Sequence, residues 1–148
     1  MTTNPFAIRR PTDLSEILAG KDEDEIARYV TDVGVEEFLR AVFDGMADAY
    51  QRYAGPREPS VVQWEIQDPR RGLHTWQMAA SREGLTVRSG AAGDPDLTLR
   101  LDLVPFLRIA ARELRGLEVL CSGIVKLKGS LRLAVEMEAW FPDAEREP

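Results

Sequence analysis

Apolar residues recur every three or four positions through the first third of the chain and every second position through the middle. The pattern alone separates a helical part from an extended one. In "PTDLSEILAG", Leu14, Ile17 and Leu18 fall on one helical face, with Thr12 placed to cap the start and Gly20 to stop the end. "DEDEIARYVTDVG" opens on four acids, Asp22 to Glu25, where a helix dipole favours negative charge, and they read as a solvated first turn. "VEEFLRAVFDGMADAYQRYAG" carries the longest stripe. Val35, Phe38, Leu39, Val42, Met46, Ala49, Tyr50 and Tyr53 lie along one side, opposite Glu37, Arg40, Asp44 and Asp48.

Beyond "GPREPS" the period becomes two. Val62, Trp64 and Ile66 alternate with Gln63, Glu65 and Gln67; Trp76, Met78 and Ala80 alternate with Thr75, Gln77 and Ala79. A turn at Glu83-Gly84 leads into Leu85 and Val87, and "DLTLRL" sets Leu97, Leu99 and Leu101 against Thr98 and Arg100. Strands with one oily and one wet face make a sheet covered on one side. The cover follows in "DLVPFLRIAARELRGL", with Leu103, Phe106, Leu107, Ala110, Leu114 and Leu117 on one helical face and Arg108, Arg112 and Arg115 on the other. A fifth strand around Val125 and Leu127 runs into a helix bearing Leu133, Ala134, Met137, Trp140 and Phe141 on one side. The fold class predicted is α+β: a five-stranded twisted sheet covered on one face by helices. The expected organisation is a helical N-terminal extension over 1–33, a domain over 34–141 and a charged tail over 142–148.

Composition narrows function more than fold. A chain of 148 residues suffices for one domain with a real core. A net charge of −6 argues against a nucleic-acid partner, which attracts basic surfaces. One cysteine, Cys121, excludes an internal disulfide and fits a reducing cytoplasm, the expected location. No apolar run approaches a membrane span or a secretory signal. Catalytic and metal-binding candidates are sparse: His74 is the sole histidine, so neither a zinc set nor a local triad can be assembled around it. Its strand alternation puts it on the face of Trp76 and Met78, the one route by which it would reach an interior site. Glu136 and Glu138 lie two apart on a helix and do not face each other. The expectation is a protein that is not an enzyme and uses neither metal nor cofactor, with its functional weight on the apolar interior.

The order of segments then matters. The amphipathic "VEEFLRAVFDGMADAY", the strand ending "QWEIQD", the pair in "HTWQMAASREGLTVRSG", the acidic Pro-Asp turn of "DPDLTLRL" and the closing "GIVKLKGSLRLAVEM" together resemble the sterol carrier protein 2 family over roughly residues 34–141. The segment "ARELRGLEVLCSG" departs from the family in its richness in arginine. The resemblance implies an apolar tunnel between sheet and helices that takes fatty acyl chains, acyl-CoA, sterols or other lipids, with transient membrane contact. It offers no catalytic residue to carry over. The residues expected to bind ligand are Trp64, Trp76, Met78, Phe106, Ala110, Leu114, Leu117, Met137, Trp140 and Phe141. Of these, Trp140 and Phe141 just before the tail form a movable wall, while Lys126 and Lys128 keep the outer face wet. Burying about 15 methylenes yields roughly 12 kcal/mol at ~0.8 each, against association costs of ~4–15 kcal/mol, so such binding needs no polar anchor. The apolar residues of the extension, Phe6, Ile8, Leu14, Ile17 and Leu18, either cap the domain in cis or join two copies as a homodimer. The alternative function is a non-enzymatic accessory or dimerisation module with a collapsed cavity.

Overall fold

The computed structural model describes residue 8 and residues 11–70, 72–114 and 122–141. Phe6, Leu117, Cys121 and the tail over 142–148 lie outside the described residues. Three helices come first: α1 (Pro11–Leu18), α2 (Glu23–Val33) and α3 (Val35–Ala49). Pro11 already opens α1, so Thr12 stands inside the first turn rather than capping it. The acids before α2 form a capping box. Asp22 accepts from the Glu25 amide at 2.8 Å, and Glu25 accepts from the Asp22 amide at 3.2 Å.

Along α3 the expected stripe is buried at Val35, Phe38, Leu39 and Val42, and Ala41 and Phe43 are buried as well. The helix is wedged between the sheet and the N-terminal helices, so more than one face meets protein. Tyr53 is 79% exposed, because α3 has ended at Ala49 and the stripe no longer continues on a helix.

The sheet has five strands in the order β3-β2-β1-β4-β5: β1 (Ser60–Asp68), β2 (Gly72–Ser81), β3 (Gly84–Ser89), β4 (Leu97–Asp102) and β5 (Lys126–Gly129). Ser81 pairs with Gly84, so the β2–β3 turn falls on Arg82 and Glu83. All neighbours are antiparallel except β1 and β4, which run parallel. The register aligns Trp64 with Trp76 on one side and Leu99 on the other, and Leu99 with Leu127, a single apolar row across four strands. On the opposite face Gln77 donates to Gln63 at 2.8 Å and Gln63 to Glu65 at 2.9 Å.

Asp96, of the Pro-Asp turn, fastens this arrangement. Its carboxylate accepts from the Val61 amide at 2.8 Å, its own amide donates to Val61 O at 2.9 Å, and its carbonyl accepts from the Ser130 amide at 3.0 Å. Gly129 lies against that carbonyl with φ +108, where an added Cβ would stand 2.5 Å from Asp96 O. Both the backbone angle and the space demand glycine there.

Helix α4 spans Leu103–Ala110 and α5 spans Leu131–Met137, followed by a short 3₁₀ turn, Glu138–Trp140. The α4 helix is shorter than its apolar stripe suggests, and Arg112 does not continue on a wet helical face. The core centres on Phe43, which stacks on Trp76 (4.9 Å between ring centroids) and on Phe106 (5.2 Å), with Trp64 edge-on to Phe106 at 5.2 Å. The N-terminal helices belong to the same core. Ile8, Leu14, Leu18, Ile26 and Val30 are buried in cis, and Ile17 is partly buried against the same core.

Candidate functional site: a cavity between the sheet and the terminal helix

Beside the packed half of the sheet lies an apolar cavity. Its floor is Trp64 of β1 and Leu99 of β4, with Val125 at the approach to β5. Val42, Met46 and Ala49, successive positions on one face of α3, form one wall together with Gly45. Ala134 and Met137 of α5 form the other, continued by Glu138 and Phe141. Ile109, Ala110 and Arg112 close the α4 side, and Ile8 and Leu14 close the N-terminal side. The space that the centre of a water molecule can reach is about 70 Å³, within a wider concavity of about 850 Å³ that opens to solvent.

Two charged residues interrupt this lining. Arg112 donates through a guanidinium nitrogen to Glu138 Oε2 at 3.2 Å, its side chain 10% exposed and that of Glu138 28%. The position of Arg112 follows from how α4 ends. The Ala111 amide donates to Leu107 O at 2.9 Å, the Arg112 amide to Ile109 O at 3.0 Å, and the Glu113 amide back to Arg108 O at 2.8 Å. The last two are the paired bonds of a Schellman ending, whose following residue is left-handed and usually glycine. Here it is Arg112, with φ +61. A non-glycine residue in that conformation costs roughly 1–2 kcal/mol. The same turn is tied to α1, since Ser15 donates to Glu113 at 2.9 Å and to Ala111 O at 3.3 Å.

Of the residues expected to bind ligand, the cavity brings together Trp64, Ala110, Met137 and Phe141. Trp76, Met78 and Phe106 are fully buried but do not line it, because α3 lays Phe43 across the β2 half of the sheet and fills that space with stacked rings. Trp140 is also fully buried and faces the other way. It packs edge-on against Tyr50 at 5.8 Å, and its carbonyl accepts from the Gln51 amide at 2.8 Å. Leu114 is partly buried against the core outside the lining. Leu117 lies outside the described residues.

Sequence reasoning missed Arg112 and Glu138. Arg112 falls on the wet face only if the helical period is extended past the end of α4, and Glu138 enters the sequence argument only as half of an acid pair with Glu136. It also left Ile8 and Leu14 outside the domain whose cavity they line. His74 is bonded through Nδ1 to Glu36 at 2.8 Å and does not reach the cavity. Lys126 and Lys128 stand on the outer face, beside a polar groove with Glu65, Asp94 and Arg100. Among the described residues no group of three or more His, Cys, Asp or Glu is arranged to hold a metal ion, and no helix is long and apolar enough to cross a membrane.

A family model for the SCP-2 sterol transfer family matches residues 38–142. Among solved structures, the sec-alkylsulfatase Pisa1 from Pseudomonas sp. superposes with a TM-score of 0.60 and 23% identity over 70% of this chain, and the chain spans 16% of the sulfatase. Sterol Carrier Protein 2 Like 2 from Aedes aegypti gives a TM-score of 0.57 with 20% identity, covering 72% of this chain and 98% of that one. The palmitated SCP2L2 of Aedes aegypti gives 0.56 with 22% identity, covering 66% and 88%. At these identities the structural likeness is one of fold. No curated protein matches the chain.

Proposed function

The chain belongs to the SCP-2 sterol transfer family, and from that premise we propose that it binds a narrow hydrophobic ligand in the cavity between α3, the sheet and α5, as a lipid carrier rather than an enzyme. The observation that carries this reading is the cavity itself, apolar on the Trp64–Leu99 floor and on both helical walls. Such a surface gains affinity from contact area, at about 25 cal/mol per Å² of apolar surface removed from water, and so accepts many chains of similar width. Met46 and Met137 suit that tolerance, since methionine repacks readily around different shapes.

The free space of about 70 Å³ holds on the order of five waters. A lipid chain therefore enters by moving a wall. The sheet floor is fixed by its ladders, whereas Phe141 follows the 3₁₀ turn after α5 and is held by edge-on ring contacts to Tyr50 and Trp140, which side-chain rotation can break. Exchange with a membrane belongs to the same reading. Leu131 and Val135 stand exposed one turn apart on the outer face of α5, an apolar pair that a bilayer surface would accept.

The small volume also favours a second reading, an accessory module whose cavity stays closed. One experiment separates the two. Native mass spectrometry of freshly purified protein should show a co-purifying lipid, and fluorescent fatty acids or sterols should bind at tens of micromolar or below. Absence of both leaves the accessory reading and removes the carrier.

A further inference from the structure

We propose that the outer face of the sheet carries a second binding site, for a small phosphate-bearing anion, built by Arg100 of β4 and by Lys126 and Lys128 of β5. It lies on the side of the sheet away from the apolar cavity and does not depend on the carrier reading. All three side chains are exposed and border a groove of about 530 Å³. The chain as a whole has a net charge of −6, so these cations are a local arrangement and not part of a general basic surface.

The register brings the charges together. Arg100 stands directly opposite Lys126 in the antiparallel ladder, and Thr98, opposite Lys128, adds a hydroxyl. Lys126 and Lys128 are two residues apart on one strand, so they share a face at a spacing of about 6.6 Å. Like charges facing each other across a ladder destabilise it. Among the described residues nothing relieves this repulsion: none of the three cations forms an ion pair or a side-chain hydrogen bond. The parallel pairing of β1 with β4 sets Glu65 beside Arg100, yet that acid is tied elsewhere. Glu65 accepts from Gln63 at 2.9 Å, and Gln63 accepts from the buried Gln77 at 2.8 Å. Asp94, the other acid on the groove, is exposed on the turn before β4 and pairs with none of the three. Lysines on β5 suit an edge strand that must avoid other chains. That need does not account for an unpaired arginine on β4, an interior strand whose neighbouring acid is held back by two glutamines. A phosphoryl group answers the arrangement, with nearly two charges and three acceptor oxygens for the guanidinium fork, the ammonium groups and the hydroxyl. The groove has the size of a small-molecule site.

The test titrates inorganic pyrophosphate into the isotopically labelled full chain and follows backbone amide shifts, with sodium chloride at matched ionic strength as the reference. The amides of Arg100, Lys126 and Lys128 should move saturably with pyrophosphate alone. Arg100→Gln should weaken binding roughly tenfold, as the loss of a charge-assisted contact warrants, without lowering the urea midpoint. Glu65→Gln should tighten binding several-fold. Gln63→Ala frees Glu65 to swing onto Arg100 and should weaken it by as much, a pair of opposite signs that plain screening does not produce. Phosphatidylglycerol vesicles form a second arm. Co-sedimentation that is lost in Arg100→Gln assigns the phosphate to a lipid head group, and pyrophosphate binding without it assigns a soluble ester. The proposal is overturned if chloride shifts the same amides as pyrophosphate does, or if Arg100→Gln binds like the wild type. Tighter binding of a triglutamate peptide than of pyrophosphate at these amides also overturns it.

Discussion

Replacing Gly45 by alanine sets two effects of known sign against each other. Gly45 lies inside α3, where alanine is the better helix former by about 0.8–1.0 kcal/mol. On an isolated helix the substitution would stabilise. In this protein an alanine Cβ would stand 2.4 Å from the Ile8 carbonyl oxygen and 3.1 Å from its carbon. The obstacle is backbone rather than a flexible side-chain tip, so the Ile8 segment must lift away. Ile8 is buried, and releasing a side chain of its size forfeits about 1.5–3 kcal/mol. The net expectation is a loss of roughly 0.5–2 kcal/mol, read as a lower urea midpoint. Because Ile8 also lines the cavity, dye entry should be faster in the variant. In a chain lacking residues 1–10 the clash has no partner, and the same substitution should stabilise by about 1 kcal/mol. If Gly45→Ala stabilises the full chain by that amount, Ile8 is not seated on α3 and does not help to enclose the cavity.

Other expectations follow from the same packing. Trp140→Ala should cost roughly 3–5 kcal/mol in a denaturant melt and leave the lipid affinity of the folded fraction unchanged, because Trp140 is core facing Tyr50. Phe141→Ala should do the reverse, weakening binding in a dye titration more than it lowers stability; matching losses in both variants would refute the division. Burial pushes the Tyr50 phenol above its ordinary value near 10, while its hydroxyl donates to Ser81 O at 2.6 Å. The unfolded chain therefore releases that proton first, and stability falls as pH rises past 10. Tyr50→Phe should cost about 1 kcal/mol at neutral pH and flatten the alkaline decline in pH-dependent melts. A chain beginning at Gly34 loses Ile8, Leu14, Leu18, Ile26 and Val30 from the core. At about 1.5–3 kcal/mol each this rivals the ~5–15 kcal/mol stability of a whole domain, so a sharp cooperative melt of that fragment would contradict the shared core.

The alternating strands were legible because a period of two leaves little freedom once one face must be dry. Val62, Trp64 and Ile66 are buried with Gln63 and Glu65 opposite, as the pattern requires. What alternation cannot encode is which strands become neighbours. The parallel pairing of β4 with β1 depends on the Asp96 contacts, made by a residue 35 positions from Val61. The stripe through Leu114 and Leu117 suggested a longer α4, yet periodicity carries no record of a left-handed residue, and Arg112 ends the helix without the glycine that would announce it. The cavity was half visible for a related reason. Trp64 and Trp76 are indistinguishable in sequence, and only the stacking of Phe43 over Trp76 decides which of them floors an open space.

The parallel pairing of β1 with β4 also sets an order of events during synthesis. Strands β1, β2 and β3 are joined by short turns and can zip together as soon as they emerge, while the inner edge of β1 stays bare until β4 arrives, with Leu99 meeting Trp64 from 35 residues downstream. Contacts of that separation form slowly, and an unpaired strand edge is a template for other chains. For that interval the row Val62, Trp64 and Ile66 presents its backbone and its oily face to whatever is nearby. The protein is thus most prone to aggregate before β4 docks, and slow translation between residues 68 and 97 would prolong that exposure.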